Sequence, residues 1–380
     1  MKPFVIRRAD LSDRPPVSPG SPLRHGQLLG IQAGRGIAAL LVVFYHAGRM
    51  LSLPQYVGHI PLGNVFSFGH AGVDFFFVLS GFIITYVHHG DVGRPDRLSR
   101  FAWRRLTRIY PIYWVVTAVV VLLALLSHDE TQNLRLDQIV PSLMLLPYEG
   151  GPLLGVAWTL EHEMLFYLAF ALAILWRPVG VALVFASLML VAAGQFGLLS
   201  GYLSEFLAAP YHLEFLMGIL SALAVLRFRF PLPRILAAVG IVAFVAAGLG
   251  ENANLFAAAG IVSVFLFGLS SAAIIIGAAT AERLGTLRVG AIGALLGAAS
   301  YSIYLTHTVT IGLTAHVMAR LGIISPIPDW LMLLMAVCAA IAGGLAFHWI
   351  VERPLGVALR RLADSWRRHR AKRTPLPIGP

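Results

Sequence analysis

The sequence predicts an all-α polytopic membrane protein with about ten transmembrane helices and with both termini in the cytoplasm. Its composition, the length of its apolar runs and the placement of its basic residues lead to this fold class. Apolar residues make up 58% of the chain and charged residues 12%, whereas soluble domains have roughly 45–50% and about 25%. So few charges cannot coat a soluble globule of 380 residues. The same composition excludes intrinsic disorder, because disordered chains are poor in apolar residues.

Ten apolar runs are long enough to cross roughly 30 Å of hydrocarbon at about 1.5 Å per helical residue. Spans that face lipid must be helical, because an open sheet edge leaves backbone groups unpaired there. The runs are also much longer than the strands of a membrane barrel. The predicted spans are 33–53, 71–88, 110–127, 157–176, 179–199, 210–226, 233–250, 254–278, 293–318 and 329–350.

The two ends of the chain differ from the span-rich middle. Residues 1–30 are polar and proline-rich and lack the apolar core of a signal peptide, so they are predicted to form a flexible cytoplasmic tail. Residues 31–355 are predicted to be one transmembrane domain. Residues 356–380 are predicted to be a basic cytoplasmic tail that starts as an interfacial helix. The single cysteine, Cys338, excludes an internal disulfide and a site built from several thiolates.

The basic residues fix the predicted orientation. Ten spans place both termini and the even-numbered loops on one side, and these segments hold 26 of the 29 Lys and Arg residues. The opposite loops hold only Arg49, Arg135 and Arg320. The positive-inside rule therefore places both termini in the cytoplasm. Because the net charge of +11 is spread over loops as topology requires, it does not indicate a nucleic-acid partner.

The first span carries an ionisable pair, Arg35 and His46. Eleven positions are about three helical turns, so both side chains share a face about 16 Å apart along the axis. Ionisable groups inside spans are costly and are functional candidates by default. A neutral imidazole near mid-membrane can accept a proton from a hydroxyl group. The alternative is a packing histidine with Arg35 as a topology anchor.

Carboxylates enter two other spans near the predicted outer face. Asp74 lies in the second span and could orient a buried His or Arg, or be a helix N-terminal carboxylate stabilised by the helix dipole. Glu161, His162 and Glu163 open the fourth span and are expected to line a wet cavity, interfacial hydration being the alternative. The zincin spacing His-Glu-x-x-His fails at Phe166, and no metal site is predicted.

Arginines and a polar stripe mark two further segments. Arg104, Arg105 and Arg108 lie at helical spacings before the third span, where guanidinium groups could bind phosphates. The alternative is attraction to anionic lipid headgroups. In the ninth span, Ser300, Tyr304 and His307 form one polar stripe that must face the bundle interior. The final Glu352-Arg353-Pro354 is interpreted as a structural helix stop.

Taken together, these residues resemble the acyltransferase-3 family of integral-membrane O-acyltransferases. The resemblance covers roughly residues 28–355, and the common order of its motifs on a ten-helix topology is specific. The start, Ile31-Gln-Ala-Gly-Arg-Gly-Ile-Ala-Ala-Leu, is most similar to the exopolysaccharide-modifying branch. The motifs are Arg-x10-His (Arg35, His46), Gly-Val-Asp-x-Phe-Phe-x-x-Ser-Gly (Gly72 to Gly81), Arg-Arg-x-x-Arg-Ile-x-Pro (from Arg104), Trp-[Ser/Thr]-Leu-x-x-Glu-x-x-Phe-Tyr (from Trp158), Phe215-Leu-Met-Gly218, Ser-Tyr-Ser-x-Tyr-Leu-x-His (from Ser300) and Glu352-Arg353-Pro354.

The resemblance implies an enzyme of the bacterial inner membrane. It implies transfer of an acyl group, often acetyl, from cytoplasmic acyl-CoA to a hydroxyl of an exported or cell-surface carbohydrate, either lipid-linked or polymeric. Glu161, His162 and Leu165 depart from the family pattern, which bears on the acceptor more than on the donor. The implied roles are a catalytic base at His46, donor binding at Arg35, phosphate binding at Arg104, Arg105 and Arg108, support at Asp74 and Glu163, and substrate contacts at Trp158, Tyr304 and His307.

Two other function classes fit the same residues. Intramembrane Asp, Glu and His side chains also form proton relays, so a proton-coupled transporter is the first alternative. A membrane scaffold, in which the polar groups only hold helices together, is the second. Turnover of acyl-CoA by the purified protein distinguishes the enzyme from both.

Overall fold

The computed structural model describes residues 28–127, 136–324 and 327–373, and all regular structure in this part is helical. Residues 1–27 and 374–380 of the two predicted tails lie outside it. The α-helices are α1 (Leu29–Leu51), α2 (Gly72–His88), α3 (Leu98–Ser127), α4 (Leu136–Met144), α5 (Trp158–Leu175), α6 (Arg177–Gln195), α7 (Tyr202–Leu207), α8 (Tyr211–Arg227), α9 (Pro233–Asn252), α10 (Ile261–Arg283), α11 (Ala291–Arg320), α12 (Asp329–Phe347) and α13 (Arg353–Arg373).

The all-helical membrane fold is confirmed, and each of the ten predicted apolar runs coincides with a long helix. Within the described residues, nine helical segments are long and apolar enough to cross a membrane. The 30-residue α11, which carries the polar stripe around Tyr304, is not one of the nine. The number of spans and the side on which the termini lie therefore stay predictions.

Two predicted boundaries differ from the structure by more than five residues. The third helix begins at Leu98, twelve residues before the predicted 110, and continues through Pro111. The arginines at its start have high helix propensity, so the helix extends beyond the apolar run. The eighth span was expected from 254 but its helix begins at Ile261. Asn254 and Ala259 have φ of 57° and 55°, and this left-handed backbone is incompatible with a helix.

The helices cross closely at small residues. The crossing of α2 and α8 brings Gly81 against the backbone of Phe215, and Gly218 against the backbone of Val78. A second crossing, between α1 and α11, places Gly297 against the carbonyl of Gln32. Small residues at such crossings are typical of membrane bundles, because they allow the backbones to approach. Gly72 of α2 also lies against the Ala38 carbonyl of α1. Helix α1 therefore packs against both α2 and α11.

Gly218→Val is expected to prevent stable folding. A Cβ atom at Gly218 would lie 2.0 Å from the Val78 carbonyl oxygen, and neither backbone can shift without separating α2 from α8. Overpacking of this kind costs about 1–3 kcal/mol or more. The fraction recovered as a monodisperse species after detergent extraction measures the effect. Gly90→Ala is the control, since nothing lies within 4 Å of its added Cβ; equal recovery of the two variants would contradict the packing account.

The start of α1 is held by a carboxylate from another helix. Glu282, near the end of α10, accepts hydrogen bonds from the backbone N–H groups of Leu29 at 2.6 Å and Gly30 at 2.8 Å. The first N–H groups of a helix have no partner within it, and Leu28 offers no side-chain cap. This contact fixes the end of α1 from which Arg35 projects. We call the end of the bundle that contains Leu29, His88 and Arg227 the basic end.

Candidate active site

A narrow cavity of about 90 Å³ lies among α1, α2, α3, α5 and α11. We call it the inner cavity. Its polar lining combines three guanidinium groups with a single carboxylate. Those four groups are Arg35, Arg105, Arg108 and Glu163. Ser80, Thr159, Tyr167, Ser300, Tyr301 and Tyr304 supply the other polar side chains. The lining is therefore cationic, and it suits an anionic or strongly polarised ligand.

Hydrogen bonds hold the one carboxylate in place. Glu163 Oε1 accepts from the hydroxyl of Ser80 at 2.9 Å and from that of Tyr167 at 2.6 Å. Tyr167 lies one helical turn after Glu163 on α5, so the helix itself sets their spacing. The Glu163 charge also acts on Arg35 and Arg105. It is thus the counter-ion that partly balances the cationic lining.

Arg105 is fixed by aromatic rings and by a histidine. Its guanidinium lies 5.9 Å from the ring centroids of both Phe101 and Tyr167, a cation–π arrangement. It donates to His88 Nε2 at 3.3 Å, and His88 Nδ1 in turn donates to Asp91 at 2.8 Å. This chain orients the guanidinium at the basic end of the bundle.

Glu163→Gln is expected to destabilise the protein in the absence of ligand. The amide keeps an oxygen that can accept from Ser80 and Tyr167 but removes the charge that balances Arg35 and Arg105. For a half-buried group we expect a loss of about 2 kcal/mol in the free energy of unfolding, measurable by thermal melting in detergent. The exposed Glu149→Gln is the control, and equal melting of both variants would contradict the counter-ion role.

A second, larger cavity adjoins the first at Arg108. This basic groove, of about 560 Å³, lies between α3 and α13, and Arg108 lines both spaces. Its charged and titratable lining residues are Arg104, Arg108, His348, Glu352, Arg353 and Arg360. Of the three arginines predicted to bind phosphate, Arg104 therefore lines only the groove and Arg105 only the inner cavity.

Glu352 has more contacts than a helix stop requires. It lies in a π-helical turn, His348–Glu352, between α12 and α13. Its Oε2 accepts from Ser302 at 2.6 Å and from His348 Nδ1 at 2.7 Å, and its charge acts on Arg35. Arg353 packs its guanidinium 4.4 Å from the ring of Trp349. Glu352 thus lies at the boundary of the groove and was undervalued by sequence reasoning.

His46 lies beyond the inner cavity, beside a second histidine. Its Nδ1 is 3.0 Å from the carbonyl of Val42 and 3.3 Å from Nε2 of the fully buried His307. His307 Nδ1 is 2.6 Å from the carbonyl of Tyr304. Because carbonyls only accept, each Nδ1 carries a proton. His307 Nε2 is then an acceptor, and His46 Nε2 is left with a free lone pair.

The two parts of the site meet at Tyr304 and Phe76. His46 is not among the described residues that line the inner cavity, whereas Tyr304 and Phe76 are. Their rings lie 5.7 Å apart, and Phe76 also packs against the apolar core formed by α1, α11 and α12. The Tyr304 hydroxyl contacts Thr159 at 2.9 Å and the Val156 carbonyl at 3.1 Å.

Asp74 faces a different set of charges from those near Arg35. It is buried at 3% exposure beside the fully buried Glu214, and the charges that act on it include His70 and Glu251. His70 Nε2 contacts Glu251 at 2.5 Å, and Ser263 donates to the other Glu251 oxygen at 2.8 Å. Sequence reasoning missed this cluster, because His70 and Glu251 lie near helix ends, where polar residues are common.

The residues that open α5 are enclosed by aromatic side chains. His162 stacks on Phe206 with ring centroids 4.2 Å apart and contacts His212 at 3.2 Å. Trp158 packs edge-on against His162 and Phe77. Of the three residues expected to line a wet cavity, Glu163 lines the inner cavity. Glu161 and His162 are only 3% and 5% exposed, and rings from α7 and α8 cover His162.

Comparisons with known proteins identify the chain. A model of the acyltransferase domain, the acyltransferase-3 family, matches residues 28–349. The chain belongs to this family. Within the described residues, no three His, Cys, Asp or Glu side chains form a group that could hold a metal ion.

Several curated proteins are similar to this acyltransferase. An exopolysaccharide production protein, ExoZ, of Rhizobium meliloti is 33% identical over 307 residues, covering 77% of this chain and 91% of that protein. The acyltransferase MdmB of Streptomyces mycarofaciens is 26% identical over 88% of this chain and 92% of its own length. The peptidoglycan O-acetyltransferase OatA of Listeria monocytogenes is 33% identical over 108 residues, which are 28% of this chain and 15% of that protein. No solved structure matches the chain.

Proposed function

We propose that this protein is an O-acyltransferase of the bacterial inner membrane. It moves an acetyl group from cytoplasmic acetyl-CoA to a hydroxyl of an exported carbohydrate, with ten membrane spans and both termini in the cytoplasm. The observation that carries the donor part is the pair of adjoining cationic spaces that share Arg108. The names of the exopolysaccharide and peptidoglycan relatives support the acceptor class.

The basic groove has the size and charge for the nucleotide end of CoA. It offers Arg104, Arg353 and Arg360 on two helices, and guanidinium groups bind phosphate oxygens bidentately. The inner cavity shares Arg108 with the groove, so the pantetheine arm of a CoA bound in the groove can continue into it. In this arrangement the phosphates stay at the basic end, and the thioester extends past Arg35 and Glu163 toward Tyr304.

His46 acts as the general base. Its Nε2 takes the proton of the sugar hydroxyl as that oxygen attacks the thioester carbonyl. The new C–O bond forms, the C–S bond breaks, and the proton passes to the CoA thiolate that leaves. His307 accepts the His46 Nδ1 proton as a hydrogen bond and so holds the ring. For the thioester to reach His46, the Phe76 side chain must rotate away from Tyr304.

The negative charge that develops on the thioester carbonyl oxygen during the attack needs a hydrogen-bond donor in the same space. Arg35 supplies a guanidinium and Tyr301 a hydroxyl within the inner cavity. Fixed donors of this kind stabilise an oxyanion far better in a cavity that excludes water than in solution. Either group can serve once rotation of Phe76 joins the inner cavity to the space beside His46.

The deciding experiment follows the acetyl group. Purified protein in proteoliposomes is supplied with acetyl-CoA labelled in the acetyl carbon, together with membranes that contain lipid-linked and polymeric glycans. We expect release of free CoA and appearance of the label in glycan. If no CoA is released while a solute crosses the bilayer, the enzyme proposal fails and the transporter takes its place.

A further inference from the structure

A large apolar fissure separates α6 from the rest of the bundle. It measures about 570 Å³ and is walled by α5, α6 and α8. Helix α6 packs closely against its neighbours at two points: Gly180 lies against Ala173 of α5, and Gly194 lies against Ala208. Between these points α6 has few neighbours, and Val191 is its one buried residue. The fissure is therefore a defined space that neither the catalytic proposal nor the bundle packing uses.

The walls of the fissure are suited to hydrocarbon. Leu165, Val184, Leu190, Ile219 and Leu223 are among its lining residues. A space of this size with apolar walls, next to lipid, offers water few hydrogen-bond partners, so water does not fill it. Its lining runs along α6 from Arg177 to Leu190, about 20 Å at the helical rise. That length suits an extended acyl chain.

The two arginines that line this space lie at one end of it. Arg177 at the start of α6, Arg227 at the end of α8 and His89 after α2 all line the fissure and are exposed. All three belong to the basic end. Trp176, which directly precedes Arg177, is 64% exposed, as is typical of an aromatic anchor at a membrane interface. Basic pockets between membrane helices bind lipid phosphates. The ligand that fits has an anionic head and a long apolar tail.

Aromatic rings separate the fissure from the inner cavity. Phe166 and Phe215 both line the fissure, and their rings stack at 4.6 Å. Phe77 lies behind them, 5.0 Å from Phe215, and lines the inner cavity. An occupant of the fissure therefore does not meet the polar groups of the inner cavity. This favours a resident lipid over a lipid-linked substrate.

We propose that the fissure binds one anionic phospholipid, with an acyl chain between α6 and α8 and with its phosphate at Arg177 and Arg227. Such a lipid supports α6, which has little other packing. The proposal is independent of the acyl-transfer reaction, because its test measures bound lipid and needs no acyl donor.

Native mass spectrometry of the purified full chain tests the site. The protein is exchanged into nanodiscs that contain phosphatidylglycerol and phosphatidylcholine, then released into mild detergent. We expect one phosphatidylglycerol retained, with affinity reduced roughly 30-fold in the double variant Arg177→Ala/Arg227→Ala, since each arginine contributes separately. The matched control is Arg229→Ala/Arg288→Ala, two exposed arginines outside the fissure.

A second variant tests the apolar part. Ala186 lines the fissure and is exposed, so Ala186→Trp should fill the space and remove the lipid from a protein that still elutes as one species. Equal retention of phosphatidylcholine, or unchanged retention in the arginine double variant, would overturn the proposal. So would the finding that detergent alone or a polyisoprenyl-linked saccharide occupies the site.

Discussion

His46→Gln is expected to lower the turnover number of acyl transfer by a factor of about 10² to 10⁴, the range for loss of a general base. Glutamine keeps the size and polarity of the side chain but cannot take the proton of the attacking hydroxyl. Acyl-CoA affinity should be unchanged, because His46 lies outside both cationic spaces. CoA release and isothermal titration with acetyl-CoA measure the two quantities separately.

His307→Gln and His316→Gln complete this series. His307 touches His46 and positions its ring, so its replacement should lower turnover by about tenfold, as expected for one lost hydrogen bond. His316 is exposed near the end of the same helix and its replacement should change nothing. If His46→Gln retains turnover and His307→Gln does not, the base is His307, and the tautomers inferred for the pair are wrong.

Arg108→Ala is expected to weaken acetyl-CoA binding by a factor of about 10 to 150, the equivalent of one charge-assisted hydrogen bond to phosphate. Among the described residues, Arg108 is the one arginine that lines both the groove and the inner cavity, so its loss should affect the donor more than the loss of Arg104. The ligand-free variant should also melt slightly higher than the wild type, because Arg108 repels Arg35.

Loss of Arg108 should thus weaken acetyl-CoA binding but raise the melting temperature of the ligand-free protein. Loss of an arginine with only a structural role would not produce this combination. Arg100→Ala is the matched control, since Arg100 is exposed on the same helix and lines neither space. It should leave both acetyl-CoA affinity and melting temperature unchanged. If Arg108→Ala keeps full donor affinity, the arginines of α3 belong to lipid attraction and topology, and the groove is not the nucleotide site.

The helices themselves could be predicted from the sequence, because a run of apolar residues in a bilayer has only one way to satisfy its backbone. The polar stripe of α11 was also predictable from helical spacing, and His307 does face the interior with no exposed surface. A single sequence could not show which polar helix face packs against which other helix. His46 and His307 are 261 positions apart, and only the packing of α1 against α11 brings them together.

The positions of the carboxylates Asp74 and Glu163 also depend on helix packing that the sequence does not show. Asp74 and Glu163 were both expected to support the site, and helical periodicity does not distinguish them. Glu163 lies between Ser80 and Tyr167 in the inner cavity, whereas Asp74 faces Glu214 and His70 across α2 and α8. The crossing at Gly81 and Gly218 sets this difference, since it fixes which face of α2 meets α8. Glu352 was interpreted only as part of a helix stop, because the π-helical turn that brings it to Ser302 of α11 is invisible in the residue pattern.

The most direct test of the account is a cryo-electron microscopy map of the protein with a non-hydrolysable acetyl-CoA analogue. We expect nucleotide density in the groove at Arg104, Arg353 and Arg360. We also expect that the arm passes Arg108 and that the acyl end reaches the Phe76–Tyr304 boundary beneath His46. Density for the analogue at any other place, or an analogue that binds while His46 faces lipid, would contradict it.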